Sequence, residues 1–373
     1  MTTQVNPLGP AEIQPLGDAE LRREIAEAER FFEARYSENT RVAYARGWKA
    51  YTAWCSNRAL DALNADSGQV CAFLAAEAAP VTDGGGNLVR PGRKVNTLEL
   101  RVAAIKHHLR EAGLVLDAVD DRIRGVLRGM RRELPADQVK SQSVAALTVE
   151  PIERVIASLD LTRDLDLRDR ALLLVMFAGL LRRSEAGLIR IETMKWATGG
   201  VALWLPQCKS APPGEGKVKR IPRIQVPGQD RHGNPILVPS RLCPVAAIEG
   251  WLRAAGLREG ALFPGRTLTR VWSTDGLSGG QIARIVKARA AAAGVDVLHE
   301  TEPTGRVKVS RLRFSGHSLR RGAATSADAA DVGLLQLMKA GDWKDPRSTA
   351  RYIDEPDRFE RTPAAKILTR HAK

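Results

Sequence analysis

The chain has 373 residues, of which 57 are basic and 43 acidic, so it carries a formal net charge of +14 at pH 7. This length exceeds one ordinary core and predicts two domains. The basic excess indicates a polyanionic partner, most simply nucleic acid, the alternative being a soluble protein with solvated arginine faces. No apolar run of about 18 residues occurs, which argues against a membrane span.

The cysteines and the first residues favour a reducing compartment. The four cysteines are far apart and form no C-x-x-C pair, so a structural zinc site is not expected. The first residues lack the basic and then apolar pattern of a secretory signal. We therefore expect a cytoplasmic, nucleoid-associated protein.

The first part of the chain predicts a helical bundle. Residues 1–17 contain three prolines and no apolar period, which is typical of a disordered tail. Apolar residues then recur at helical spacing in five segments, 18–34, 37–55, 67–79, 96–112 and 119–133. A flexible break is expected at 80–86. Residues 90–132 hold 11 basic and 5 acidic side chains, so the domain 18–134 should have a basic side.

A polar segment, 135–143, predicts a linker to a second domain at 144–373. That domain should be mainly α-helical. One small antiparallel sheet is expected from strands at 199–205 and 220–226, which flank a hairpin rich in proline, glycine and lysine at 209–219. Further helices are predicted from the apolar spacing at about 148 onward, 167–181, 244–255, 278–293, 317–330, 334–340 and 348–354.

Two arginines end the apolar helix, and Glu185 follows Arg182 by three residues. One interpretation is a salt bridge that closes the helix. The other is a fork-shaped donor to two phosphate oxygens. In the hairpin, Lys209 is either solvated or a general acid for a leaving 5′ oxygen, and Lys217 and Lys219 compete for that role.

Four residues near the C-terminus form the densest set of candidates. His317 and Arg320 make an H-x-x-R pair that would share one helix face, Trp343 lies downstream, and Tyr352 follows nine residues later. A tyrosine hydroxyl beside cations suits nucleophilic attack on a phosphodiester. Each residue also has a structural interpretation, as a core histidine, a packed tryptophan or a hydrogen-bonded tyrosine.

The order of these motifs resembles the tyrosine recombinases of the phage integrase family, and is most similar to the Cre-type group. The likeness runs from about Phe31 to Tyr352 and rests on Leu-Leu-Arg182-Arg-Ser-Glu185, His317-x-x-Arg320, Gly-Asp-Trp343 and Tyr352. Many relatives have a second histidine where this chain has Trp343, and the Cre-type group has tryptophan there.

The resemblance implies a role for each residue. Arg182 and Arg320 would hold the scissile phosphate, His317 and Trp343 would hydrogen-bond its oxygens, and Glu185 would orient the cluster. Lys209 would protonate the leaving 5′ hydroxyl, and Tyr352 would form a 3′-phosphotyrosyl bond. The reaction would need neither metal nor ATP, so no cofactor is expected.

The resemblance also implies partners. Two domains would clamp double-stranded DNA at an inverted-repeat site, and a homotetramer would form on paired sites. The C-terminal segment 362–373 would be either a helix that docks into a neighbour or a frayed end. The candidate phosphate contacts in the first domain are basic side chains on or beside helices 37–55 and 96–112: Arg41, Lys49, Lys94, Arg101 and Lys106.

Two other functions remain open. A DNA-binding regulator without catalysis would also be basic, although the retained tyrosine argues against it. A relaxase of the type IB topoisomerase kind would share the chemistry but act without a specific site. The Cre-like first domain favours recombination.

Overall fold

A computed structural model of the chain describes residues 18–114, 121–139, 143–206, 215–301 and 307–353. The chain divides into two compact units, Met1–Gln142 and Ser143–Lys373. Three predicted features lie outside the described residues: the tail 1–17, Lys209 with most of its hairpin, and the segment 362–373. In the described part of the chain, no helix is both long and apolar enough to cross a membrane.

The first unit is helical, as predicted. Its elements are α1 (Asp18–Ala34), α2 (Glu38–Ser56), α3 (Ser67–Ala78), β1 (Val81–Thr82), β2 (Leu88–Arg90), α4 (Val95–Glu111), α5 (Asp121–Glu133) and α6 (Ala136–Val139). Ser37 caps α2, because its side chain accepts the backbone N–H of Thr40 at the start of the helix.

The core of the first unit lies between α2, α3, α4 and α5 and includes Tyr51, whose ring packs edge-on against Phe73 with centroids 5.2 Å apart. Helices α2 and α4 approach closely at Gly47, where an added Cβ would lie only 2.4 Å from the Cβ of Ala104. Four apolar side chains of α1 are exposed and do not belong to this core: Leu21, Ile25, Phe31 and Phe32.

Two segments of the first unit differ from the prediction. The expected flexible break at 80–86 is instead β1 and most of the turn of the β1–β2 hairpin. The Asp83 carboxylate organises this turn by accepting the N–H groups of Gly85 and Asn87. The expected linker contains α6, whose Val139 packs against the core of the first unit. The polar composition of 135–143 hid this single turn of helix.

The second unit is mainly α-helical, but its described residues form four small antiparallel sheets where we expected one. Its helices are α7 (Val149–Ala157), α8 (Asp164–Ala178), α9 (Arg183–Ala186), α10 (Pro244–Ala255), α11 (Gly279–Ala292), α12 (Ser318–Ala329), α13 (Leu334–Gly341) and α14 (Pro346–Ala350), with a 3₁₀ turn at Ile191–Thr193. Its strands are β3 (Lys195–Ala197), β4 (Gly200–Leu205), β5 (Lys217–Pro222), β6 (Gln225–Gln229), β7 (Pro235–Pro239), β8 (Pro264–Arg266), β9 (Trp272–Gly276), β10 (Val297–Thr301) and β11 (Val307–Arg311).

The sheets pair in chain order as β3–β4–β5, β6–β7, β8–β9 and β10–β11. The strand predicted at 220–226 is divided between β5 and β6, because the backbone N–H of Arg223 leaves the ladder and donates to Gly199. The last helix also differs from its predicted span, 348–354. Asp345 caps it and Pro346 is its first residue, so it begins earlier. It ends at Ala350, which leaves Tyr352 beyond its C-terminus.

Helix α8 forms the centre of the second unit, and its run Ala171–Met176 is buried. Its N-terminal half is tied to α11 by Arg289, whose Nε donates to Asp169 at 2.8 Å and whose Nη2 lies 2.5 Å from Asp166. Its C-terminal end stops at Gly179, and Leu180 then adopts a left-handed φ of 47°. This turn changes the direction of the chain and places Arg182 in the candidate site.

Candidate active site

Arg182 and Glu185 form the ion pair that the sequence allowed. Arg182 Nη1 lies 2.6 Å from Glu185 Oε1, and the Arg182 backbone N–H donates to Oε2 at 2.8 Å. The Glu185 side chain is 3% exposed and that of Arg182 is 17% exposed. The carboxylate therefore fixes the arginine at the start of α9 and still leaves part of its guanidinium accessible.

Arg320 lies on the first turn of α12 and is completely buried. Its Nη1 donates to the carbonyl of Leu180, and its Nη2 donates to the carbonyl of Gly341. Burial, followed by the positive charge of Arg182, lowers the pKa of Arg320 to about 10. The two arginines are thus close enough to repel each other, and an anion between them would relieve that repulsion.

The rings of Trp343 and Tyr352 cover Arg320. Its Cζ lies 4.3 Å from the Trp343 ring centroid and 5.3 Å from that of Tyr352. The two ring centroids are 5.1 Å apart. Such distances are those of cation–π contacts, so the structure brings these three predicted residues into one cluster.

The segment that carries Tyr352 is fastened to α12. Arg321 Nη1 donates to the carbonyl of Arg351 at 2.9 Å, and Thr325 Oγ1 donates to the carbonyl of Tyr352 at 3.3 Å. These bonds hold the backbone of the candidate nucleophile beside Arg320.

His317 precedes α12 and is its N-cap residue, so the predicted shared helix face is only partly right. Its backbone N–H donates to the Ser315 hydroxyl at 3.1 Å. The side chain is half-buried, one helical turn before Arg320.

Sequence reasoning missed Asp342 as part of this site. Its carboxylate lies 2.6 Å from Lys219 Nζ and 3.0 Å from Lys217 Nζ. The lysines occupy positions i and i+2 of β5, which places both side chains on one face of the strand. This alternation was the available signal, but the partner lies on a distant segment.

The Asp342 ion pairs stabilise a strained turn. Asp342 has a left-handed φ of 54°, and an added Cβ at the preceding Gly341 would lie 2.0 Å from the Trp343 ring. Lys219 Nζ also donates to the Ala340 carbonyl. Burial lowers the pKa of Lys219 despite its acidic partner. Burial opposes ionisation of Asp342, but Lys219 and then Lys217 outweigh it and hold its pKa below the ordinary value.

The candidate DNA-contacting residues of the first unit differ in their exposure and in their ion pairs. Arg41 pairs with Glu38 on α2, and Lys49 is exposed on the same helix. Lys94 is the N-cap residue of α4, and Lys106 is half-buried. Arg101 lies 3.6 Å from Glu77 and donates to the carbonyl of Arg46 at 2.6 Å, so it also ties α4 to α2 and α3.

No group of three or more His, Cys, Asp or Glu side chains within the described ranges is arranged to hold a metal ion. The cluster instead offers guanidinium, indole and phenol groups. Together these can bind a phosphodiester and present a nucleophile to it.

Known proteins resemble this chain at the level of family and fold. A model of the phage integrase family matches residues 146–358. An integrase/recombinase xerD homolog of Selenomonas ruminantium is 28% identical over 338 residues, which is 89% of this chain and 86% of that protein.

Two solved structures have the same fold. A lambda integrase (75–356) dimer bound to a COC′ core site has a TM-score of 0.51 at 14% identity, covering 91% of this chain and 99% of that one. A XerH site-specific recombinase bound to difH substrate, a pre-cleavage complex, has a TM-score of 0.51 at 11% identity, covering 96% of this chain and 85% of that one. Since the family model matches more than half of the sequence, the chain belongs to the phage integrase family, and it is a tyrosine recombinase.

Proposed function

We propose that the chain is a site-specific recombinase that cleaves and rejoins duplex DNA through a 3′-phosphotyrosyl intermediate. The observation that supports this most strongly is the convergence of Arg320, Trp343 and Tyr352 within 5.3 Å, with Arg182 close enough to lower the pKa of Arg320. These four residues lie on four separate segments of the chain. A packing role alone does not require two repelling guanidinium groups beside a phenol.

In the proposed reaction the Tyr352 oxygen attacks the scissile phosphorus as its proton passes to a base, a role for which His317 is suited. The new bond joins the tyrosine oxygen to the 3′ phosphate, and the bond to the 5′ oxygen breaks. Lys209 would supply the proton to the leaving 5′ oxygen. Arg182, oriented by Glu185, and Arg320, aided by Trp343, would stabilise the charge on the phosphoryl oxygens. The free 5′ hydroxyl of the second strand would then attack the phosphotyrosyl ester and release Tyr352, which is the reverse of cleavage. The ester would conserve the energy needed for this rejoining.

The burial of Arg320 adds a conformational step to this proposal. The residue is 0% exposed, and two of its five N–H donors bind carbonyls. A phosphate can reach the other donors only if the groups that cover Arg320, among them the rings of Trp343 and Tyr352, move. We therefore infer that DNA binding displaces the Tyr352 segment, which two side-chain bonds attach to α12.

The finer properties follow from the family and from Trp343. We propose a Cre-type enzyme in which the domains predicted at 18–134 and 144–373 contact duplex DNA at an inverted-repeat site and four protomers exchange strands on paired sites. The solved recombinases with this fold include complexes with DNA, which supports a duplex partner. The basic residues of α2 and α4 are the proposed phosphate contacts of the first unit.

The first prediction tests covalent catalysis. Nicked duplexes built from inverted repeats in the DNA that flanks the gene should trap a 3′ adduct with the wild-type chain. Tyr352→Phe should abolish the adduct, because it lacks the attacking oxygen, while duplex binding stays within about twofold. Tyr36→Phe is the matched control, since the Tyr36 ring makes edge contacts that phenylalanine preserves. An adduct that persisted in Tyr352→Phe would disprove the assignment, and relaxation of any plasmid without repeats would favour a relaxase.

A further inference from the structure

Arg183 is a cation beside the site that the mechanism above does not use. It follows Arg182 directly, its side chain is exposed, and it has no hydrogen bond or ion pair within the described part of the chain. The neighbouring arginines differ, because Arg182 binds Glu185, Arg320 binds two carbonyls and Arg321 binds the Arg351 carbonyl.

The stem of Arg183 nevertheless has a fixed place. It lies between two glycines, Gly279 at the start of α11 and Gly316 next to His317. An added Cβ at Gly316 would be 2.9 Å from Arg183 Cβ and Cδ, and one at Gly279 would be 3.2 Å from Arg183 Cγ. Neither glycine has a left-handed φ, so their backbone conformation does not require glycine. Instead, the missing side chains leave space for the arginine stem.

The space between the two glycines, which we call the seat, holds the aliphatic part of the side chain and leaves the guanidinium in solvent. Less rotamer entropy is then lost when the guanidinium binds a ligand. The stem lies against Gly316, the residue before His317, so Arg183 is held beside the candidate site. An apolar side chain would fill the same space, whereas arginine adds an exposed cation there.

We propose that Arg183 binds a second, non-scissile phosphodiester of the same DNA strand, adjacent to the phosphate at Arg182. The planar guanidinium suits the two non-bridging oxygens of such a group. This contact would set the register of the strand, so that the correct phosphate faces Tyr352. The inference rests on the proposed function, because it presumes that DNA occupies this site.

The test is the salt dependence of binding to a mixed-sequence duplex, with the full chain. Arg183→Gln keeps most of the stem in its seat and removes the charge. It should lower the slope of log Kd against log salt concentration by about 0.9, the value for one phosphate contact, and weaken binding about tenfold at low salt. Arg183→Lys should retain the slope. Arg258→Gln is the matched control, since Arg258 is also exposed, without a partner in the described ranges, and distant in sequence from Arg182; it should leave the slope unchanged.

The seat gives a second test. Gly279→Ala retains the arginine but places a methyl group against its stem, so binding should weaken by a smaller factor, while thermal stability stays equal or rises because alanine favours the helix. A purely structural role predicts the opposite pattern, with lower thermal stability in Gly279→Ala and Arg183→Gln and an unchanged salt slope.

The two proposals fail separately. If the wild-type chain shows no salt-dependent binding to duplex DNA, the proposed function itself is wrong. If the wild type binds with a steep slope and folded Arg183→Gln has the same slope, only the second phosphate site is overturned. Circular dichroism melting establishes folding for each variant.

Discussion

At the scale of single residues, Arg320 combines a structural and a proposed chemical role. Its donors join the Leu180 turn after α8 to the Gly341 turn after α13, and its cation supports the rings of Trp343 and Tyr352. The Gly341 turn depends in addition on Asp342, because the ion pairs with Lys217 and Lys219 hold its left-handed backbone. Asp342 therefore helps to position the next residue, Trp343.

The second prediction concerns this carboxylate. Asp342→Asn should lower the free energy of unfolding by about 3 kcal/mol near neutral pH, because it leaves the buried Lys219 ammonium without its counter-charge. Asp342 has a lowered pKa in the folded state, so its contribution is fully present above the unfolded carboxyl value near 4. It is lost as the pH falls through the lower, folded-state pKa.

Urea unfolding of the wild type and Asp342→Asn at several pH values measures this. The difference between the two should shrink below about pH 4. Asp275→Asn, an exposed aspartate whose side chain makes no polar contact in the described ranges, should resemble the wild type throughout. A difference that stayed constant with pH would show that charge at Asp342 is not the cause.

At the scale of elements, local signals predicted the helices well and the hairpins poorly. Caps such as Ser37 and Ser278 and the apolar periodicity lie within a few residues of one another, so the sequence displays them directly. The β1–β2 and β6–β7 hairpins share a five-residue turn, Asp-x-x-Gly-Asn, in which the aspartate accepts two backbone N–H groups and the asparagine amide. We interpreted the first as a break and overlooked the second, because neither is flanked by a clear alternation of apolar residues.

The third prediction tests how α12 is placed. At Gly322 an added Cβ would lie 1.8 Å from the carbonyl oxygen of Leu147, so α12 packs directly on that backbone. Gly322→Ala should cost about 1–3 kcal/mol of stability through overpacking and should reduce adduct formation by displacing Arg320. Gly250→Ala is the matched control, because Gly250 is also inside a helix but has no atom within 4 Å of an added Cβ, and it should stabilise the protein by about 0.5–1 kcal/mol. Equal stability of the two variants would contradict this packing.

At the scale of the whole molecule, each unit has its own apolar core. The first is built on Tyr51, Phe73 and Leu98, and the second on α8 with Trp251 and Phe263. The boundary between Gln142 and Ser143 lies within the segment predicted as a linker, 135–143. Such independent cores are typical of domains that fold separately.

The fourth prediction follows from this separation. A fragment of residues 143–373 should fold alone and unfold cooperatively in urea, because the core around α8 is contained within it. It should bind duplex DNA more weakly than the full chain, with a shallower salt dependence, if the basic residues of α2 and α4 contact phosphate. A fragment without cooperative unfolding would show that the units depend on each other.

The sequence by itself determined the helical class, the order of the motifs and the family, because caps, periodicity and motif residues are local features that can be read along the chain. Only the tertiary structure decided which residues meet at the site. The Lys217–Asp342 and Arg320–Leu180 contacts join residues separated by 125 and 140 positions. No local pattern specifies such pairs, because they arise only when α8, β5, α12 and α13 are brought together by the packing of the second unit. The same packing buries Arg320 and places Arg183 between two glycines, and from these facts the proposed ring movement and the second phosphate site follow.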